Sequence, residues 1–250
     1  DMSDTLNIST SAAIVAASAG VKIAKHGNRS VSSKSGSADM LEKLGYKISK
    51  NVKELEENLM NNNFCFLFAQ NHHSAMKNVI NVRKKLSTRT IFNLLGPLTN
   101  PANAKKQLLG VYSKDLVSMH CNCLKEMGSE RAFVVHGLDG LDEISLSDKT
   151  FVNELKDNKI LEYIFNPSDY GYDLINIEEI KGGDPDYNAA CFKKMINGEY
   201  KIFQNIVELN AGVAIYLSGL VNNIKEGFIL AKKVIDDGTT KNFLNTIINE

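Results

Sequence analysis

Between Lys25 and Ser37 the chain reads Lys25-His26-Gly27-Asn28-Arg29-Ser30-Val31-Ser32-Ser33-Lys34-Ser35-Gly36-Ser37. Almost nothing in it is built for burial. Its amides, hydroxyls and cationic side chains are donors of the kind a phosphate or pyrophosphate recruits. A solvated surface loop is the plain alternative on composition alone. A second stretch, Gly137-Leu138-Asp139-Gly140-Leu141-Asp142-Glu143, crowds three carboxylates into a glycine-rich turn. Mutual repulsion makes that costly without a cation, and hard oxygen ligands shared with substrate phosphates suit Mg2+. An exposed acidic turn is the alternative there. Ser9 and Thr10 open a small-residue helix, where free N–H groups and hydroxyls favour an anion as readily as they cap the helix. The adjacent His72 and His73 diverge, so one of them reads as a pocket residue rather than half of a metal site. His120-Cys121-Asn122-Cys123 lies inside a helical pattern, where residues two apart do not share a face, and reads as helix.

The elements around these stretches must place them. Val21-Lys22-Ile23-Ala24 is a short, mostly apolar run that leads into the loop, and a helix pattern starts near residue 38. Strand, polar loop, helix is where open α/β sheets bind ligands. Phe64-Cys65-Phe66-Leu67-Phe68-Ala69 reads as a buried parallel strand with the histidines at its carboxyl end. Strands at 107–112 and 132–136 bracket a helix at 115–127, and the acidic turn follows the second of them. Helices are expected at 11–18, 38–46, 52–62, 186–197, 203–219, 222–236 and 239–248. A further one carries Met76, Val79, Val82, Arg83 and Leu86, and 144–165 is hairpin-like. Gly96-Pro97 and Asn100-Pro101 stiffen one loop. The alternation predicts right-handed crossovers and an α/β fold, a mostly parallel central sheet flanked by helices. No repeat or linker divides the chain, so 1–250 reads as one domain. The late helices are expected to cover the sheet and to carry no chemistry.

Bulk properties exclude several classes. Twenty-nine basic residues balance 29 acidic ones, which argues against a nucleic-acid or membrane surface. No apolar run approaches the roughly 20 residues a bilayer span needs. The four cysteines, Cys65, Cys121, Cys123 and Cys191, form no disulfide framework, so a reduced, cytoplasmic protein is expected.

Several separated motifs, in order, resemble the anthranilate phosphoribosyltransferase family of tryptophan biosynthesis. They are Asn7-Ile8-Ser9-Thr10, the 25–37 loop, residues 89–101 around Gly96-Pro97, and the run from Val135 to Glu143. Gly182-Gly183 with Pro185 and Asn188, and Asn210-Ala211, are similar to the family's carboxyl-terminal part. The resemblance implies the nucleoside phosphorylase and phosphoribosyltransferase-like large domain. It also implies transfer of phosphoribose from phosphoribosyl pyrophosphate to the amino group of anthranilate, with Mg2+ required. Asp1, Thr5, Asn7, Ile8, Ser9, Thr10, Lys25, His26, Gly27, Asn28, Arg29, Ser30, Val31, Ser32, Ser33 and Ser37 would contact substrate. Ser9, Asp142 and Glu143 would ligate Mg2+. Lys25, Asn28 and Arg83 would carry catalysis, with Arg83 paired to the anthranilate carboxylate. His73, Gly96 and Pro97 would line the anthranilate channel. Ser74 and Asn81 stand where the family tends to have proline. The family's preceding helical domain, through which it dimerises, and most of its first glycine-rich loop are expected to lie outside these residues, with Asp1 as that loop's last aspartate. Two rivals predict other features. A pyrimidine nucleoside phosphorylase would not need the Asp142-Glu143 pair for Mg2+, and a non-catalytic nucleic-acid-binding relative would need a basic surface.

Overall fold

The computed structural model describes residues 4–30, 34–73 and 90–249. Asp1, Val31, Ser32, Ser33, Ser74, Asn81 and Arg83 lie outside them, as does the helix expected around Met76 to Leu86. Helix α1 (Ile8–Ser18) leads to β1 (Ile23–Gly27), α2 (Ser37–Leu44), α3 (Val52–Asn62) and β2 (Phe64–Phe68). Two short helices follow, α4 (Ala69–His72) and α5 (Ile91–Leu95), the second running into a 3-10 turn at Gly96–Leu98. Then come β3 (Lys106–Gly110), α6 (Asp115–Glu126), β4 (Arg131–Gly137), β5 (Thr150–Lys156) and β6 (Lys159–Phe165). Four helices close the chain: α7 (Pro185–Ile196), α8 (Lys201–Ser218), α9 (Ile224–Asp236) and α10 (Thr239–Ile248).

The α/β reading holds, and each strand–helix–strand unit at the site pairs in parallel. β1 lies beside β2 from Ile23 opposite Phe64 to Gly27 opposite Phe68. β3 lies beside β4 from Lys106 opposite Arg131 to Gly110 opposite Val135. Among the described residues the strands form a two-stranded and a four-stranded sheet, and antiparallel pairing between strands occurs at β4–β5–β6, besides an isolated antiparallel bridge of Thr5 with Lys181. The β5–β6 turn uses Asp157 and Asn158, both with left-handed backbone (φ 50° and 59°), as a tight hairpin demands.

Two boundaries differ from the sequence reading. Helix α1 begins at Ile8, three residues before the expected start at 11, with Asn7 as its N-cap. The expected loop start at Lys25 is in fact strand. Pairing with the buried β2 extends β1 through Lys25 and His26 to Gly27, so cross-strand hydrogen bonds override the polar side chains. The remaining helices match to within a few residues. Asn51 accepts from the Lys53 amide at the start of α3, and Asp184 with Pro185 opens α7.

The core sits between the sheets and the helices α1 and α8. Helix α1 buries Ile8, Ala12, Ile14, Val15 and Ala16, its small residues allowing close approach to α8. Helix α8 is apolar nearly all round, burying Phe203, Ile206, Leu209, Val213 and Leu217, as a helix enclosed by other elements must. No helix among the described residues is long and apolar enough to cross a membrane.

Candidate active site

A cleft of about 1790 Å3 opens at the carboxyl ends of β1, β2 and β4. Ser9, Lys25, His26, Gly27, Asn28, Arg29, Ser30, His73, Gly96, Pro97, Asp142 and Glu143 all line it. Parallel strands point their loops to one edge, so residues more than a hundred positions apart meet there.

The charged heart of the cleft joins three elements. Lys25 Nζ donates to Ser9 Oγ at 2.8 Å, tying the end of β1 to the first turn of α1. Burial pushes the Lys25 ammonium below its usual value, while the Glu143 and Asp142 carboxylates work the other way. Glu143 is held well above the ordinary carboxylate range, by burial first and then by the charge and hydrogen bond of Asp142. Its Oε2 is buried and has no hydrogen-bond partner. A buried carboxylate oxygen without a donor, beside a second carboxylate and a hydroxyl-bearing helix start, suits a hard divalent cation. Asp139, the third carboxylate of the turn, faces away. It accepts from Ser145 Oγ at 2.5 Å, from Ser147 Oγ and from the Leu141 amide, so the crowding seen in sequence resolves into a pair plus a brace.

A second wall is imidazole. His26 Nε2 and His73 Nε2 are 3.2 Å apart with the rings edge to face. Burial, then His73, Lys25 and His72, lower the His26 pKa to about 4, so this ring is neutral at pH 7. Hydrogen bonding between two ring nitrogens requires one donor and one acceptor, which a neutral His26 permits.

The loop after β1 is pinned at both described ends by Asp39. Its carboxylate accepts from the Ser30 amide at 3.0 Å and from the Gly36 amide at 2.9 Å. A Cβ on Gly36 would overlap the Ser30 amide, so glycine allows this closure. Arg29 adds a two-pronged pair with Glu42, both distances 2.6 Å, and a contact to Asp39 at 3.0 Å. Asn28 Oδ1 accepts from the Arg29 amide at 2.8 Å and from Gln70 Nε2 at 3.3 Å.

Five of the expected site residues do not line the cleft. Ile8 and Thr10 turn into the core of α1. Thr5 bridges to Lys181 through its backbone. Ser37 packs its Cβ beside Gly27. The amide of Asn7 is committed elsewhere, donating to the Ser35 carbonyl at 3.2 Å and accepting from Asn188 Nδ2 at 2.8 Å. Asn188 in turn accepts from the Gly183 amide at 2.8 Å, which gives the Gly182-Gly183 and Asn188 motifs a structural use. Sequence reasoning missed Gln70, Asn100 and Asn210, all of which line the cleft. The signal for Gln70 was its place at the end of β2, and Asn100 was visible only as a turn residue.

A sequence model of the glycosyl transferase family a/b domain matches residues 1–241. An anthranilate phosphoribosyltransferase of Thermoanaerobacter sp. is 46% identical over 248 residues, covering 99% of this chain and 73% of the relative. The crystal structure of the Thermus thermophilus enzyme superposes with a TM-score of 0.91 at 40% identity, covering 98% of this chain and 73% of the other. The Saccharomyces cerevisiae enzyme, solved in complex with PRPP and Mg, superposes at 0.88 with 33% identity over 98% of this chain and 69% of its own. Family model, sequence and structure agree along nearly the whole chain, and the chain belongs to the anthranilate phosphoribosyltransferase family.

Proposed function

We propose that the cleft binds phosphoribosyl pyrophosphate with Mg2+ beside anthranilate, and that the Asp142–Glu143 pair facing Lys25 and Ser9 is its working centre. The family's reaction, a step of tryptophan biosynthesis, forms N-(5-phosphoribosyl)anthranilate and pyrophosphate. The anomeric carbon–oxygen bond breaks with its electron pair leaving on pyrophosphate. The anthranilate nitrogen supplies the pair for the new carbon–nitrogen bond and then gives up a proton. An aryl amine is already nucleophilic near neutral pH, so the residues' task is placement and charge stabilisation.

Ser9, Asp142 and Glu143 would hold Mg2+. Bound there, the ion neutralises charge developing on the leaving group. Lys25 and the amide and hydroxyl donors of the 25–37 loop then meet the remaining pyrophosphate charge, with Arg29 bracing that loop through Glu42 and Asp39. Asn28 stands between the two substrates. Neutral His26, with His73 against it, forms an imidazole wall, and Gly96 with Pro97 a stiff one, suited to a flat aromatic acceptor. Arg83 is assigned the anthranilate carboxylate by the family motif. Asp1, Val31, Ser32 and Ser33 are assigned to the donor on the same ground. Thr5, Asn7, Ile8, Thr10 and Ser37 support the site, through their backbone or through the elements they anchor. We place the enzyme in the cytoplasm, acting as a homodimer with no nucleic-acid or membrane partner.

The observation that carries this reading is the orphaned, buried Glu143 oxygen at the foot of a donor-rich cleft. Titration calorimetry with phosphoribosyl pyrophosphate, with and without Mg2+, tests it. Mg2+-dependent binding that vanishes in Asp142→Asn/Glu143→Gln is expected. Binding indifferent to Mg2+ or to those two carboxylates would remove the assignment.

A further inference from the structure

Helix α8, with no chemistry expected of it, reaches the acidic turn through the side chain of Asn210. Asn210 is 2% exposed and its amide meets the backbone of Ile144, the residue after Glu143, from both directions. Oδ1 accepts from the Ile144 amide at 3.0 Å, and Nδ2 donates to the Ile144 carbonyl at 2.9 Å. The same Nδ2 also donates to Ile206 in its own helix at 2.9 Å. The turn also rests on β3, at its last residue, Gly110. The Asp142 carbonyl lies so close to Gly110 that a Cβ there would overlap it. Asp142 and Glu143 are therefore bracketed along the chain by the Gly110 contact at Asp142 and the Asn210 contact at Ile144.

We propose that Asn210 and Gly110 are positioning residues that set the Asp142–Glu143 pair for its cation, and that α8 is the element aligning it. The proposal rests on the cation reading of that pair. All polar atoms of Asn210 are engaged with backbone, so it needs no contact with substrate to act. Hydrogen bonds to both the N–H and the C=O of Ile144 fix the two peptide groups flanking its Cα, which a packed apolar side chain would not do. Carboxylates that bind a hard ion lose affinity when their supporting groups are removed, by roughly 10- to 100-fold.

The test uses the intact enzyme with phosphoribosyl pyrophosphate present, comparing Asn210→Ala and Gly110→Ala with the parent protein. Calorimetry reads Mg2+ binding, and hydrogen exchange reads protection of the Ile144 amide. The expected result is Mg2+ binding weakened by roughly 10-fold or more in each, faster exchange at Ile144 in Asn210→Ala, and an unchanged anthranilate KM. Met195→Ala, a core change on α7, serves as the control for general loosening and is expected to leave Mg2+ binding alone. Parent-like Mg2+ binding in both folded variants overturns the proposal, and so does an equal loss in Met195→Ala. Should Asn210→Ala not fold, Gly110→Ala carries the same decision. Asp142→Asn separates the two layers. If that variant binds Mg2+ like the parent, the cation reading itself fails. If it does not, while the Asn210 and Gly110 variants do, only the positioning proposal fails.

Discussion

The two walls of the donor side are held in opposite ways. The acidic turn at 139–145 is fixed by buried hydrogen bonds from Asn210 and Ser145 and by close packing on Gly110. The loop that follows β1 is fixed by the half-buried Asp39 and by the Arg29–Glu42 pair, whose side chains are 43% and 40% exposed. Buried, satisfied hydrogen bonds answer weakly to salt, whereas exposed ion pairs are screened and individually worth little. On the proposed function, one wall is a fixed seat for a cation and the other an adjustable set of donors for a substrate that must enter and leave. Both are built from polar residues, and surroundings rather than composition separate them.

The largest effect is expected on the fixed wall. Asp142→Asn with Glu143→Gln should lower turnover at saturating substrates by about 1,000-fold, the scale of several kcal/mol of lost charge stabilisation. Steady-state rates across a Mg2+ series check this. A modest loss that extra Mg2+ restores fully would show that the seat tolerates altered ligands and would narrow the contrast between the walls.

Much of this site was legible in the sequence, and the unread part has a common cause. The 25–37 loop and the 137–143 turn stand out because each concentrates one kind of side chain after an apolar run, a local signal. Strand β2 was legible for the same reason, as five apolar residues in a row. Asn210 stood out only through the family resemblance of Asn210-Ala211, which assigned it no role. It is a polar residue inside an apolar helix, and its partner Ile144 lies 66 positions away. Asn7 shows the same limit, because its family motif points to substrate while the Ser35 and Asn188 partners of its amide are visible only in the fold. The two-sheet strand order was hidden too, since periodicity identifies strands but not neighbours. What sequence reports well is chemistry concentrated in one segment; what it reports poorly is which distant backbone a single polar side chain meets.

An intermediate effect is expected from the imidazole wall, and its sign is fixed. His26 has a folded-state pKa of about 4 against an ordinary 6.5. Between those values the unfolded chain binds the extra proton, so acidification favours unfolding. Stability attached to neutral His26 is fully present above about pH 6.5 and is lost as pH falls toward about 4. Thermal melts from pH 8 to pH 4.5 should therefore show a shallower loss in His26→Asn than in the parent. Parallel curves would mean that His26 titrates normally and that the histidine wall is looser than its 3.2 Å contact implies.

The smallest effect belongs to the adjustable wall, and salt is what exposes it. Arg29→Ala removes the Glu42 and Asp39 pairs at the loop's root. Exposed pairs of this kind contribute about 1 kcal/mol or less, so the phosphoribosyl pyrophosphate KM should rise by at most about fivefold. Screening weakens the parent's pairs as salt rises, while the variant has none to lose. The ratio of the two KM values should therefore shrink between low and high salt. A loss far above fivefold, independent of salt, would instead mean that Arg29 meets the substrate directly and releases Glu42 when it does. The loop would then be a switchable contact rather than a tether, and the contrast between the two walls would become one between a static ligand set and a mobile one.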